Sequence, residues 1–272
     1  MIRLVLVVSI LLSHLHALSW FNNEKKEYLQ LIYGIKDTII TTQKTRGLTN
    51  NYMNGNVVAQ LLVYGQRKQM TKNFMQLNKA FGSLELDSYY YQNSVELMAR
   101  SKQLNKRAFK SDSAEIFTHY SSVIESWMDL NDKIITEAFS QSDAKAYERL
   151  KFMNNVLLPL TENIGKMRGL GSGIVARTYC KEDEMKKMEG FVSEIKRYTS
   201  LLEYHLKQTN YSALRSQERI KIEQNIQDYA ELTKMQVIGQ SDINLNTNAY
   251  FDQGTRAIKD VIMIYNVIAS TL

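Results

Sequence analysis

The apolar positions of this chain recur in alternating steps of three and four, the period of a helix with one buried face. Ile32, Ile35, Ile39, Thr42, Arg46, Thr49 and Met53 form the clearest stripe, aliphatic in its first half and polar in its second. Strand-like alternation punctuated by hairpin turns does not appear. Caps and glycines divide the pattern into about eight helices. The first runs from about Phe21 to Met53 and stops at Asn54-Gly55-Asn56. The second covers about Val57 to Ala80, and the third about Leu86 to Phe109. Ser111-Asp112-Ser113 caps a fourth that reaches Phe139. Gln141-Ser142-Asp143 opens a fifth, which ends near Tyr179. Lys181-Glu182-Asp183 starts a sixth, and Ser212 a seventh. The last runs from about Asp242 to the end, with residues 244–248 looped.

The N-terminus reads as an export leader. Arg3 precedes the apolar run from Leu4 to Leu12, and Ala17-Leu18-Ser19 offers small residues for cleavage. The expectation is a signal peptide over residues 1–19, a mature chain from Trp20 and a periplasmic location. An uncleaved N-terminal anchor is the alternative. Beyond the leader, residues 20–272 are expected to form one helical domain with halves at about 20–140 and 141–272.

Composition sharpens the fold class. A 272-residue chain with 44% hydrophobic content can bury a sizeable core. It holds a single proline, Pro159, and proline breaks helices. An all-α fold follows. The formal charge of +6 comes from scattered lysines, and export argues against a nucleic-acid partner. Cys180 has no partner for an internal disulfide and is expected to be a buried thiol.

One segment occurs twice. Lys44-Thr45-Arg46-Gly47-Leu48 returns as Lys166-Met167-Arg168-Gly169-Leu170. A glycine inside a helix costs about 0.5–1 kcal/mol and persists where something must approach the backbone. An arginine on a buried stripe needs a carboxylate or a bound anion. Thr42, Gln43, Thr49 and Asn50 surround Arg46 in sequence, with no acid among them. Gly165, Gly169, Gly171 and Ser172 surround Arg168, and Glu162 is the one acid nearby. Two helical phases fit the fifth helix. Leu157, Thr161, Ile164, Arg168, Gly171 and Val175 put the arginine on the stripe. Met153, Leu157, Leu160, Ile164, Met167, Gly171 and Ile174 put it at the edge. Outward-facing arginines, or arginines paired with acids from other helices, are the bland alternative. In the seventh helix Arg215, Arg219, Ile222, Ile226 and Tyr229 share a stripe.

Enzyme chemistry finds no foothold. After the leader, His119 and His205 lie in different helices and make no metal cluster with one cysteine. Gly169-Leu170-Gly171-Ser172-Gly173 lacks the strand and lysine of a phosphate loop. No cofactor is expected.

Thr42 to Leu48, followed by Leu61 to Met70 with its internal Gln66-Arg67, resembles the opening of the bacterial nitrate- and nitrite-sensing (NIT) domain. Leu157 to Gly173 resembles that domain's second arginine-glycine helix, and Tyr250-Phe251 with Thr255 and Ile258 its closing helix. The resemblance implies two packed up-down four-helix bundles that bind nitrate or nitrite between helices through arginines. By motif, the ligands would be Arg46 and Arg168, supported by Thr42, Thr49, Asn50, Gly47, Gly169 and Ser172. Arg219 joins them on its stripe alone, and Arg67 and Arg256 rank lower. No segment resembles an output module. The expected partner is therefore a separate membrane sensor kinase or chemoreceptor, with homodimerisation allowed. A helical scaffold without a small ligand is the alternative function.

Overall fold

A computed structural model describes the backbone of residues 2–84, 86–209, 211 and 214–272, and side chains from residue 23 onward. The leader and its cleavage point therefore lie outside the residues whose side chains are described. Nine α-helical segments carry the described chain: α1 (Ile2–Met53), α2 (Ala59–Ser83), α3 (Ser88–Arg107), α4 (Ser113–Phe139), α5 (Ala144–Phe152), α6 (Leu158–Arg177), α7 (Glu182–Gln208), α8 (Ser216–Gln236) and α9 (Thr247–Ala269). A π turn, Met153–Leu157, fuses α5 and α6 into one rod, which leaves eight rods. Among the described residues there is no strand, and no helix is long and apolar enough to cross a membrane.

The expected caps form. Asp112 accepts from the backbone N–H groups of Ala114 and Glu115, and Asp143 accepts from that of Ala146. Gly55 turns the chain after α1 with φ of 102°, a conformation that side chains resist. The backbone of α1 is helical from Ile2, earlier than the sequence pattern suggests. Pro159 stands in the first turn of α6 and has no N–H to bond back. Just ahead of it, the Leu158 N–H reaches the Met153 carbonyl five residues back, which widens that turn.

The rods make two up-down bundles. In the first, α1 packs on α2 and α4, and α3 on α2 and α4. In the second, α6 packs on α7 and α9, and α8 on α7 and α9. The main seam between them is α1 against α6, with α4 against α5 beside it. That seam explains the two phases of the fifth helix. Leu160, Thr161, Ile164, Met167, Arg168, Gly171, Ile174 and Val175 are all buried, because α6 faces its own bundle on one side and α1 on another. Both stripes are real. Cys180 is half-buried in the connection after α6, not buried as expected, and the single cysteine is too close to the surface to be core.

Candidate functional site

The two arginine-glycine segments meet at the seam. A Cβ on Gly169 would lie 3.7 Å from the Gly47 Cα, so the α1 and α6 backbones cross with no side chain between them. Each guanidinium lies beside a glycine of the opposite helix. A Cβ on Gly165 would come 3.3 Å from Arg46 Nη2, and one on Gly47 would come 3.5 Å from Arg168 Nη2.

Both arginines are buried, and each is held by a phenylalanine and a hydroxyl from the last helix of one bundle. Arg46 lies over the Phe117 ring at 4.7 Å and donates to Ser121 Oγ at 2.8 Å. Arg168 lies over the Phe251 ring at 4.5 Å and donates to Thr255 Oγ1 at 2.8 Å. Each hydroxyl in turn donates to the carbonyl of its own phenylalanine, one helical turn back, at 2.9 Å. The Nε of each guanidinium is buried without an acceptor.

Their counter-charges differ. Glu162 grips Arg46 through both carboxylate oxygens, at Nη1 and, at 3.1 Å, at Nη2. Lys166 stands 3.6 Å from that carboxylate and pairs with Glu125 on α4 at 2.9 Å. Arg46 therefore takes the acid from a neighbouring helix that the bland reading allowed. Among the described residues, Arg168 has no ion-pair partner. Burial pulls its pKa down to about 10; Tyr229 acts against this, and the like charge of Arg46 adds to it. It is still a cation at neutral pH, under a penalty on the order of 3 kcal/mol. Lys44 is lowered too, first by burial and then by the charges of Arg168 and Lys259. Ile40, Lys44, Ile258 and Lys259 line an open groove between α1 and α9 on this side. On the Arg46 side, Asn50, Phe117, Ser121, Glu125 and Lys166 line a cleft of about 600 Å³.

The supporting residues divide. Asn50 bridges the seam: its Nδ2 donates to the Gly169 carbonyl at 2.7 Å and its Oδ1 accepts from Ser113 at 2.8 Å. Ser172 donates to the Arg168 carbonyl and Thr42 to the Thr38 carbonyl, so both hydroxyls are used within their own helices. Thr49 Oγ1 and Gln43 Oε1 are buried without partners beside this cluster. Arg219 is not brought to the pair. It is part-exposed at the start of α8, donates to the Leu206 carbonyl and faces Glu223 at 3.8 Å. Its stripe fails because Arg215 caps the helix, and only Ile222, Ile226 and Tyr229 are buried. Arg67 stacks on Phe109 at 4.6 Å in the first bundle, and Arg256 is exposed. Sequence reasoning missed Phe117, Ser121, Lys44 and Lys259. The signal was a phenylalanine followed four residues later by a hydroxyl, in both α4 and α9.

A family profile for nitrate and nitrite sensing (NIT) matches residues 37–272. One solved structure, of the NasR transcription antiterminator, matches with a TM-score of 0.73 at 13% identity, covering 97% of this chain and 72% of that one. At this identity the likeness is one of fold. No curated protein matches the chain by sequence.

Proposed function

Because the chain belongs to the nitrate- and nitrite-sensing family, we propose that it binds one of these anions through Arg168 and passes the bound state to a separate partner. The family is a sensing module. One observation carries the ligand reading: Arg168 is a buried cation held by an aromatic face and a hydroxyl, within reach of the Lys44 charge and with no ion-pair partner among the described residues. A buried charge without a counter-charge is costly, and a planar oxyanion matches the guanidinium fork. Lys44 and Lys259 line the α1–α9 groove on this side, a basic approach for nitrate or nitrite. Filling the site replaces repulsion across the seam with attraction, and that change is what a partner would read. We place this activity outside the cytoplasm, on the strength of Arg3, the apolar run and Ala17-Leu18-Ser19.

Calorimetric titration with nitrate and with nitrite, against chloride and sulfate, tests the reading. Saturable binding of either planar anion that Arg168→Ala weakens tenfold or more supports it. Heats equal to those of chloride reject it. The scaffold reading has one observation of its own: Val57, Val58, Leu61 and Leu62 are more than half exposed at the start of α2. Nucleic acid is no longer set aside as a partner, since the solved chain that shares this fold is a transcription antiterminator.

A further inference from the structure

The two arginine pockets are copies of one design. A shift of 122 residues carries Lys44, Arg46 and Gly47 onto Lys166, Arg168 and Gly169. A shift of 134 carries Phe117 and Ser121 onto Phe251 and Thr255. The stacking distances, 4.7 and 4.5 Å, and the hydroxyl distances, both 2.8 Å, agree across the copies. The same shifts show where the copies part. Glu162 falls on Ile40, and Glu125 falls on Lys259. At the Arg46 pocket two bases, Arg46 and Lys166, are balanced by two acids, Glu162 and Glu125. At the Arg168 pocket the same positions hold Arg168, Lys44 and Lys259, with an isoleucine where the buried acid would be.

We propose that Glu162 is a built-in substitute for the ligand. Its carboxylate occupies the Arg46 half of a duplicated anion site, so the chain takes one planar anion, at Arg168, and not two. The chemistry fits. A carboxylate presents two oxygens in a plane to the guanidinium fork, as nitrate does. Glu162 is 3% exposed, and its two oxygens meet both terminal nitrogens of Arg46. The cleft of about 600 Å³ is lined by Phe117 and Ser121, two of the groups that hold Arg46. Glu162 thereby sets the stoichiometry and confines charge neutralisation to one side of the seam. This inference rests on the reading of the pocket design as an anion site, and it makes a separate claim about one residue.

The test is titration of potassium nitrate, with potassium chloride and sulfate as controls, into native protein, Glu162→Ala and Glu162→Gln. Removing the carboxylate should open the second pocket, and Glu162→Ala should bind one more nitrate per chain than the native protein. Its nitrate-dependent rise in melting temperature should exceed the native rise, by mass action at the added site. Adding Arg46→Met to Glu162→Ala should abolish the extra site. Glu162→Gln keeps the shape but leaves Arg46 without a counter-charge, so its melting temperature should also respond more to nitrate than the native one. Where Glu162→Ala does not fold, Glu162→Gln decides. No gain in stoichiometry, together with native-sized nitrate shifts, would overturn the proposal. Native protein that binds no nitrate while Glu162→Ala binds one would reject the Arg168 reading and uphold the claim that Glu162 fills the Arg46 pocket. One site in both would do the reverse.

Discussion

The methyl group that Gly169 lacks would sit 2.9 Å from the Phe117 ring, the same ring that stacks on Arg46. The α6 backbone is thus pressed against the wall of the Arg46 pocket. Gly169→Ala must push that ring away, and overpacking of this kind costs about 1–3 kcal/mol. Gly47→Ala is different, because its methyl meets only Arg168 Nη2, at an ordinary 3.5 Å. Thermal melts should show Gly169→Ala clearly destabilised and Gly47→Ala near native. Titration should then show Gly47→Ala close to native for nitrate, since the added methyl makes only an ordinary contact with the guanidinium. Equal melting temperatures for the two variants would refute this account of the crossing.

The arginines should respond to removal with opposite signs. Arg168→Met takes away a buried charge that has no counter-charge, so the ligand-free protein should melt higher while its nitrate response disappears. Arg46→Met leaves the buried Glu162 carboxylate only Lys166, at 3.6 Å, as counter-charge and should cost up to about 3–5 kcal/mol. At about 2–4 °C per kcal/mol for a chain of this size, differential scanning calorimetry resolves both changes. Arg168→Lys should retain only part of the binding, because an ammonium cannot reproduce the planar fork.

Nitrate binding should fade as pH rises toward about 10. Arg168 and Lys44 both hold their protons less tightly than exposed arginine and lysine do. The groups acting on Lys44 are Arg168, Lys259 and Lys36, which lower it, and Asp37, which raises it. Each proton lost removes a charge that attracts the anion. Nitrate itself does not titrate in this range. Affinity measured from neutral pH to about 10 should fall monotonically, and a flat profile would contradict the assigned site.

Alkaline stability should be governed by tyrosines, whose pKa values move up where those of Arg168 and Lys44 move down. Burial pushes Tyr120 and Tyr250 up to about 12 and Tyr229 well above its usual value. Phenols raised in the folded state contribute stability that is intact below pH 10 and lost as pH climbs through their folded values. Ligand-free protein monitored by phenolate absorbance should therefore unfold cooperatively between about pH 10 and 12. Gradual ionisation without unfolding would show these hydroxyls to be accessible.

The fold was legible because helices declare themselves locally. Asp112, Asp143 and Gly55 mark ends whose chemistry lies within a few residues, and the stripe through Ile32, Ile35 and Ile39 needs no knowledge of partners. The arginine pair was legible because both copies kept four of the five residues of one segment, differing only at Thr45 and Met167. Its counter-charge was not. Whether Glu162 on α6 reaches Arg46 on α1 depends on how two helices cross, and no local pattern encodes a crossing. The second half of each pocket hid for a related reason. Phe117 and Phe251 repeat at a spacing of 134, while the arginines repeat at 122, so no single offset aligns all the parts. Arg219 misled because its stripe is genuine only from Ile222 onward.

Where Gly47 and Gly169 touch, no cushion of side chains separates the helices, and such a contact behaves as a fulcrum. A small tilt there is magnified along α1. Lys25 lies twenty-two residues away, roughly 33 Å at 1.5 Å per residue, so each degree of rotation shifts it by about half an ångström. At that far end Lys25 holds Asp143, the cap of α5, at 2.8 Å. This one ion pair ties the lever's end to the start of the second bundle. A rotation at the glycine crossing would therefore change the length of the Lys25–Asp143 pair more than that of any contact near the crossing itself.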